Sequence, residues 1–278
     1  MSGQLPHVRG RHARRDRPIR RASAGLSPAR AGALLGMLLT GAAIYGVGVS
    51  TAFRFERVEI DQLVYTAPAA VRAALAVAPG ENLFQVQTGP LAEQIRTLPT
   101  VLDARVEVSL PDTLVVRVVE RVPILIWRVG EVGYLVDASG ALFVTLDPGA
   151  PPPVGVSAEI LDERSSSAGT LRPGSRLDPV DFDAATRLAT VVPADVGSVA
   201  DGLHVAMTDA NGFVVFTEPT SWTAIFGFYT PSLRTPEIVP GQVRLLRSLL
   251  ADREATVGRI ILASAEVGTY LPRETIEP

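Results

Sequence analysis

A chain of 278 residues that is 47% hydrophobic holds enough material for one large or two ordinary domains, and its positive mean hydropathy hints at a membrane segment. It has no cysteine and, among its 26 basic residues, no lysine, which excludes disulfides, thiolate–metal sites and P-loop, Schiff-base or Ser-Lys chemistry. The net charge of −3 conceals a basic head on an acidic body: residues 1–30 carry eight Arg against Asp16 alone, and beyond them 18 Arg face 28 acids, an arrangement that argues against nucleic-acid binding by the folded part.

Residues 1–30 are rich in Arg, Pro, Ser and Gly without apolar periodicity, and are expected to form a disordered, basic cytoplasmic tail. Residues 31–53 follow as 23 positions without a charge. As a helix they would span about 34 Å, enough for a hydrocarbon core of roughly 30 Å. The Arg excess before this run places the N-terminus in the cytoplasm and everything after Phe53 outside. A cleaved signal peptide, with Ser50 and Ala52 before the cut, is the rival reading; the long preceding segment and long apolar run favour an uncleaved anchor. Gly32 and Gly36 form a small-xxx-small pair that chance accounts for in so Gly/Ala-rich a span.

From residue 54 to 122 the pattern reads β-α-α-β-β. Phe55 to Ile60 is a short strand with Val58 and Ile60 on one side. Thr66 is placed to cap a helix whose first turn holds Pro68 and whose apolar stripe is Val71, Ala74, Leu75 and Ala78, with Pro79-Gly80 as its stop. Leu83 and Phe84 are expected in the core. A second helix starts at Thr88-Gly-Pro90 and carries Leu91, Ile95 and Leu98. A hairpin then turns at Pro111-Asp112: Ala104, Val106 and Val108 alternate with Arg105, Glu107 and Ser109, and Leu114, Val116 and Val118 continue the buried face. Glu120-Arg121 is either a local ion pair or a lock on the junction to the second domain.

Residues 123–278 read as a mixed, β-rich second domain. Ile124 to Trp127, Tyr134 to Asp137 and Leu142 to Val144 form a meander turning at Asp137-Ala-Ser-Gly140. The Pro-, Gly- and Ser-rich stretch at about 147–179 reads as a long exposed loop. A helix is expected from Phe182 to Val192, a hairpin with an Asn211-Gly212 turn joins 203–207 to 212–217, and an apolar strand runs from Ser221 to Phe228. An amphipathic helix over Gln242 to Leu250 precedes a closing strand, Arg259 to Leu262.

Val58-Glu-Ile60, Gly80-Glu-Asn-Leu-Phe84, Leu98-Pro-Thr-Val101, Leu110-Pro-Asp-Thr-Leu114, Val118-Val-Glu-Arg-Val-Pro123, Trp127 and Leu135-Val-Asp-Ala-Ser-Gly140 occur in this order directly after one anchor. The chain thereby resembles the FtsQ/DivIB family of bacterial division proteins, strongly over residues 31–146 and more weakly beyond. The resemblance implies an α+β fold: a transmembrane helix (31–53), a βααββ POTRA domain (54–122) and an FtsQ-type β domain (123–278). It implies a non-enzymatic scaffold at the division septum, extracytoplasmic beyond its single span. Its partners would be FtsB/DivIC-like and FtsL-like proteins, with no cofactor, small-molecule substrate or nucleic acid. By motif position Arg259, Ile260, Ile261 and Leu262 would be the partner-binding edge, pairing by β-augmentation; the family's acidic residue and Arg around these apolar positions are not matched, since Ile261 and Ala263 stand here. The alternative is a POTRA-containing envelope transport or chaperone module for unfolded chains.

Candidate catalytic groups are few. His7 and His12 lie in the tail, and His204 stands alone on a strand, where it reads as a satisfied or surface histidine rather than a ligand. The acidic pairs Asp181/Asp183 and Asp209/Glu218 lack any supporting motif, so no triad or ordinary metal site is expected.

Overall fold

The computed structural model describes residues 27–273 except Ala168, and its contacts divide the chain after Ser50. The expected tail lies almost wholly outside the described residues. Helix α1 spans Pro28–Val49, starting three residues before the uncharged run. The Ser27 hydroxyl accepts from the Arg30 N–H, and Pro28, which has no N–H to leave unpaired, fills the first turn. Its 22 residues extend about 33 Å and expose their apolar side chains all round, the pattern of a helix solvated by lipid.

The second unit begins with a 3₁₀ turn at Thr51–Phe53 and holds two main cores and a smaller cluster of Ile126, Leu135, Phe143 and Val156. The first belongs to β1 (Arg57–Ile60), α2 (Pro68–Leu75), α3 (Thr88–Arg96), β2 (Val101–Ser109) and β3 (Thr113–Glu120). The sheet order is β1-β3-β2, with β1 parallel and β2 antiparallel to β3. Val71, Leu75, Ile95, Val106, Leu114 and Val116 fill the space between this sheet and the two helices. Two local expectations change. Thr66 does not cap α2, which starts at Pro68 after Ala67; its hydroxyl instead bonds that of Thr100 at 2.7 Å. Leu83 is buried as expected, but Phe84 is 54% exposed.

The larger core is built on β4 (Pro123–Val129), β5 (Val132–Asp137), β6 (Leu142–Leu146), β7 (Glu159–Asp162), α4 (Pro179–Ala189), α5 (Pro193–Val196), β8 (Gly202–Thr208), β9 (Gly212–Glu218), β10 (Thr223–Gly227), α6 (Val239–Leu250), β11 (Val257–Leu262) and β12 (Gly268–Pro272). They make a nine-stranded sheet in the order β12-β11-β10-β9-β8-β7-β4-β5-β6. Helix α4, capped by Asp178, packs on β7 and β8, and α6 packs on β10, β11 and β12. Trp127, Trp222, Phe213 and Phe226 lie fully buried in this layer. At the Asn211-Gly212 turn Gly212 has φ +65°, and a Cβ there would sit 2.5 Å from the Gly227 carbonyl, so only glycine fits.

The 147–179 stretch is not one exposed loop. Its residues Glu159–Asp162 form β7, a central strand parallel to both β4 and β8. The four-residue strand is buried by partners far away in sequence, so no local periodicity announces it. Residues 174–177 then exchange backbone hydrogen bonds with Gly140 and Leu142, covering the start of β6.

Candidate interaction surface

His7 and His12 lie outside the described residues; the acidic side chains singled out in the sequence and His204 are each engaged with neighbours. Asp181 pairs with Arg164, Asp183 with Arg187 one helical turn on, and Asp209 accepts from the Ser165 N–H and hydroxyl. His204 Nε2 lies 2.6 Å from Glu218 and its ring stacks on Phe216. Among the described residues no three His, Asp or Glu converge as metal ligands. Buried Asp162 accepts from the Trp127 indole (2.9 Å), Arg164 and Ser167; burial pushes its pKa upward, but these donors outweigh that and hold it below the ordinary aspartate value. The Trp127 bond ties β4 to β7, and the bonds from Arg164 and Ser167 hold the segment that follows β7.

Backbone groups are available where the sheet stops. At one border β6 is partly covered by residues 174–177, whereas among the described residues β12 pairs with β11 alone. Arg259–Leu262, expected as the edge, is instead the penultimate strand: β12 comes after the turn at 263–267 and returns antiparallel, placing Leu271 opposite Arg259, Tyr270 opposite Ile260 and Thr269 opposite Ile261. The four anticipated residues divide by face. Ile260 and Leu262 are buried beneath α6, while Arg259 and Ile261 reach the open face beside β12.

This border is held firmly. Gln242, fully buried in α6, donates from Nε2 to the carbonyls of Phe226 and Leu262, each at 3.1 Å, and accepts from the Tyr229 hydroxyl at 2.8 Å. Arg234 donates to the same two carbonyls, so the ends of β10 and β11 are tied together and to the helix. Burial pushes the Tyr229 phenol far up, keeping it a neutral donor. The turn before β12 sits against Gly241 so closely that a Cβ there would lie 2.4 Å from that of Ala265. What β12 presents outward is Tyr270, with Arg253 over its ring, and Leu271, which is 50% exposed. Beyond its end a cleft of about 630 Å³ is lined by Leu250, Arg253, Glu254, Pro219 and Arg273. Edge, exposed apolar side chains and adjoining cleft together suit an extended segment adding to the sheet.

Residues 53–121 match the model of the POTRA domain, FtsQ-type. The cell division protein FtsQ of Chloroflexus aurantiacus is 30% identical over 236 residues, spanning 85% of this chain and 76% of that protein. The chain belongs to the FtsQ family. FtsQ of Syntrophotalea carbinolica is 27% identical over 245 residues, covering 85% and 83% of the two chains, and FtsQ of Mycolicibacterium smegmatis is 32% identical over 160 residues, covering 57% and 45%. The FtsQ-type POTRA match ends at Arg121, the residue that joins the two cores: its Nε donates to the Pro99 carbonyl at 2.9 Å and its Nη1 pairs with Asp137. A second joint is the Tyr65 ring against Phe143, edge-on at 5.6 Å.

Proposed function

We propose that this FtsQ-family chain is a non-enzymatic, single-pass scaffold of the divisome, its N-terminus cytoplasmic and the remainder extracytoplasmic at the septum. It acts by holding FtsB/DivIC-like and FtsL-like partners and so couples division proteins in the membrane to septal peptidoglycan synthesis. The observation that carries the binding mode is the free border of the nine-stranded sheet at β12. An incoming strand gains backbone hydrogen bonds there, and Tyr270, Leu271 and, one strand inward, Arg259 and Ile261 read its side chains.

The test is copurification of the full chain in detergent with FtsB-like and FtsL-like proteins from the same organism. Leu271→Arg alters only an exposed position, so the variant is expected to melt like the parent while retaining at most a tenth of the partner. Undiminished recovery with Leu271→Arg and with Tyr270→Asp would overturn the β12 assignment. Failure of the parent chain to recover either partner would overturn the partner reading itself.

A further inference from the structure

Phe84 is the large aromatic that the POTRA module leaves half in water, in a segment that sequence pattern alone assigns to the core. It is held there by structure. Its N–H is taken by the Asn82 side chain, and its ring stands edge-on to Phe53 with centroids 5.0 Å apart at 81°. Phe53 is fixed in turn, because its carbonyl accepts the Leu83 N–H at 2.9 Å. The two rings thus form one preset apolar projection.

Chain length limits how far this projection lies from the membrane. Helix α1 ends at Val49, and its 22 residues already match a hydrocarbon core of roughly 30 Å. One extended residue and a 3₁₀ turn separate Val49 from Phe53, a path of about 9 Å. The headgroup layer adds roughly 5–8 Å on each side of the core. A turn running straight outward would carry Phe53 just past that layer, and a turn bent toward the surface keeps it inside; Phe84 is tied to Phe53 by the ring contact.

The geometry points to Phe53 and Phe84 as a foot of the POTRA module that rests in the headgroup layer of the phospholipid membrane on the exported side. The occupant of this apolar surface is lipid, because it continues the membrane span along the chain. Exposed Arg54 on the same rim is balanced by exposed Glu56 and Glu81, so the contact is apolar and does not depend on anionic lipid. Its effect is to restrict the tilt of everything built on the module. The inference rests on the membrane anchor and is independent of the partners that β12 binds.

The full chain has no cysteine, so single labels can be placed cleanly. Phe84→Cys, Leu233→Cys and Leu38→Cys are each spin-labelled and reconstituted into vesicles of phosphatidylcholine alone and of phosphatidylcholine with phosphatidylglycerol. Leu38 lies within α1, and Leu233 is 93% exposed in the second core's periphery. The ratio of oxygen to nickel-chelate accessibility at position 84 is expected to exceed that at 233 at least twofold in both lipids. A ratio equal to that at 233 overturns the foot. Water-like accessibility at Leu38 as well overturns the anchor, and the foot with it. Phe84→Trp supplies a second readout that keeps an aromatic ring: its added emission should be quenched by lipid brominated near the glycerol end, while buried Trp127 and Trp222 remain unquenched. Added emission untouched by the brominated lipid also overturns the foot.

Discussion

Glu120 and Arg121 are neighbours in sequence, yet they are not an ion pair with each other; each fastens a different joint. Glu120 accepts from the N–H groups of Val64 (2.6 Å), Tyr65 (2.9 Å) and Thr66 (2.6 Å), fixing the loop that carries Tyr65 to Phe143. Burial would raise the Glu120 carboxyl, but the Thr66 side chain and these three amides prevail and hold its pKa below the ordinary glutamate value. A depressed carboxyl gives stability that is fully present above the unfolded-state pKa, near 4.3, and is lost as pH falls through the folded value. Glu120→Gln keeps an acceptor but loses the charge, so it is expected to cost about 1–2 kcal/mol at pH 7. In urea titrations the gap between variant and parent should close as pH falls below about 4. A gap that persists unchanged at roughly pH 3 would show that ionisation of Glu120 is not what fastens the loop.

Elements whose signal is local were legible in the sequence. The hairpin of β2 and β3 shows alternation in its own residues, and α6 shows its stripe of Leu, because each element's buried face repeats at its own period. The small module's order and the meander of β4 to β6 come from the same signal. Strand β7 was not legible: Glu159-Ile-Leu-Asp162 sits among Pro, Gly and Ser, and its burial is imposed by β4 and β8. Glu159 pairs with Arg128, 31 positions back, and Ile160 lies opposite Val205. The edge position expected for the candidate strand was subject to the same non-locality. Arg259–Leu262 has the composition of a strand, but being an edge is a property of the sheet order, and β12 takes the border. Depth of burial along the inner face of the hairpin can be tested. Val106 is buried among Val71, Ile95 and Leu114, whereas Val108 is 37% exposed. Val106→Asp should destabilise the module by about 3 kcal/mol or more through an unpaired buried charge, and Val108→Asp by under about 1 kcal/mol. Equal urea midpoints for the two variants would refute this difference in burial along the shared face.

At the scale of the whole molecule, the proposed presentation of β12 to a partner requires that the two cores hold a fixed relation. The small core is the weaker partner, since a module of about 70 residues buries a smaller share of its surface than a larger one. Its stability therefore draws on the joint. Arg121 bridges the Pro99 carbonyl on one side and Asp137 on the other, where Asp137 also accepts from the Ser139 N–H and hydroxyl and the Ala141 N–H. Burial raises the Asp137 carboxyl, but Ser139, Arg121 and these amides outweigh it and depress the pKa. Arg121→Met removes the cation and leaves a nearly buried carboxylate short of one partner, a loss of about 3 kcal/mol. Combined with Tyr65→Ala it removes both joints. Calorimetry of the full chain in nanodiscs is expected to show one cooperative transition for the β1–β12 region in the parent. In the double variant it should split into two, the smaller module melting first. A single transition in the double variant, merely shifted to lower temperature, would mean that the cores are coupled through other contacts and that Arg121 and Tyr65 are not the joint.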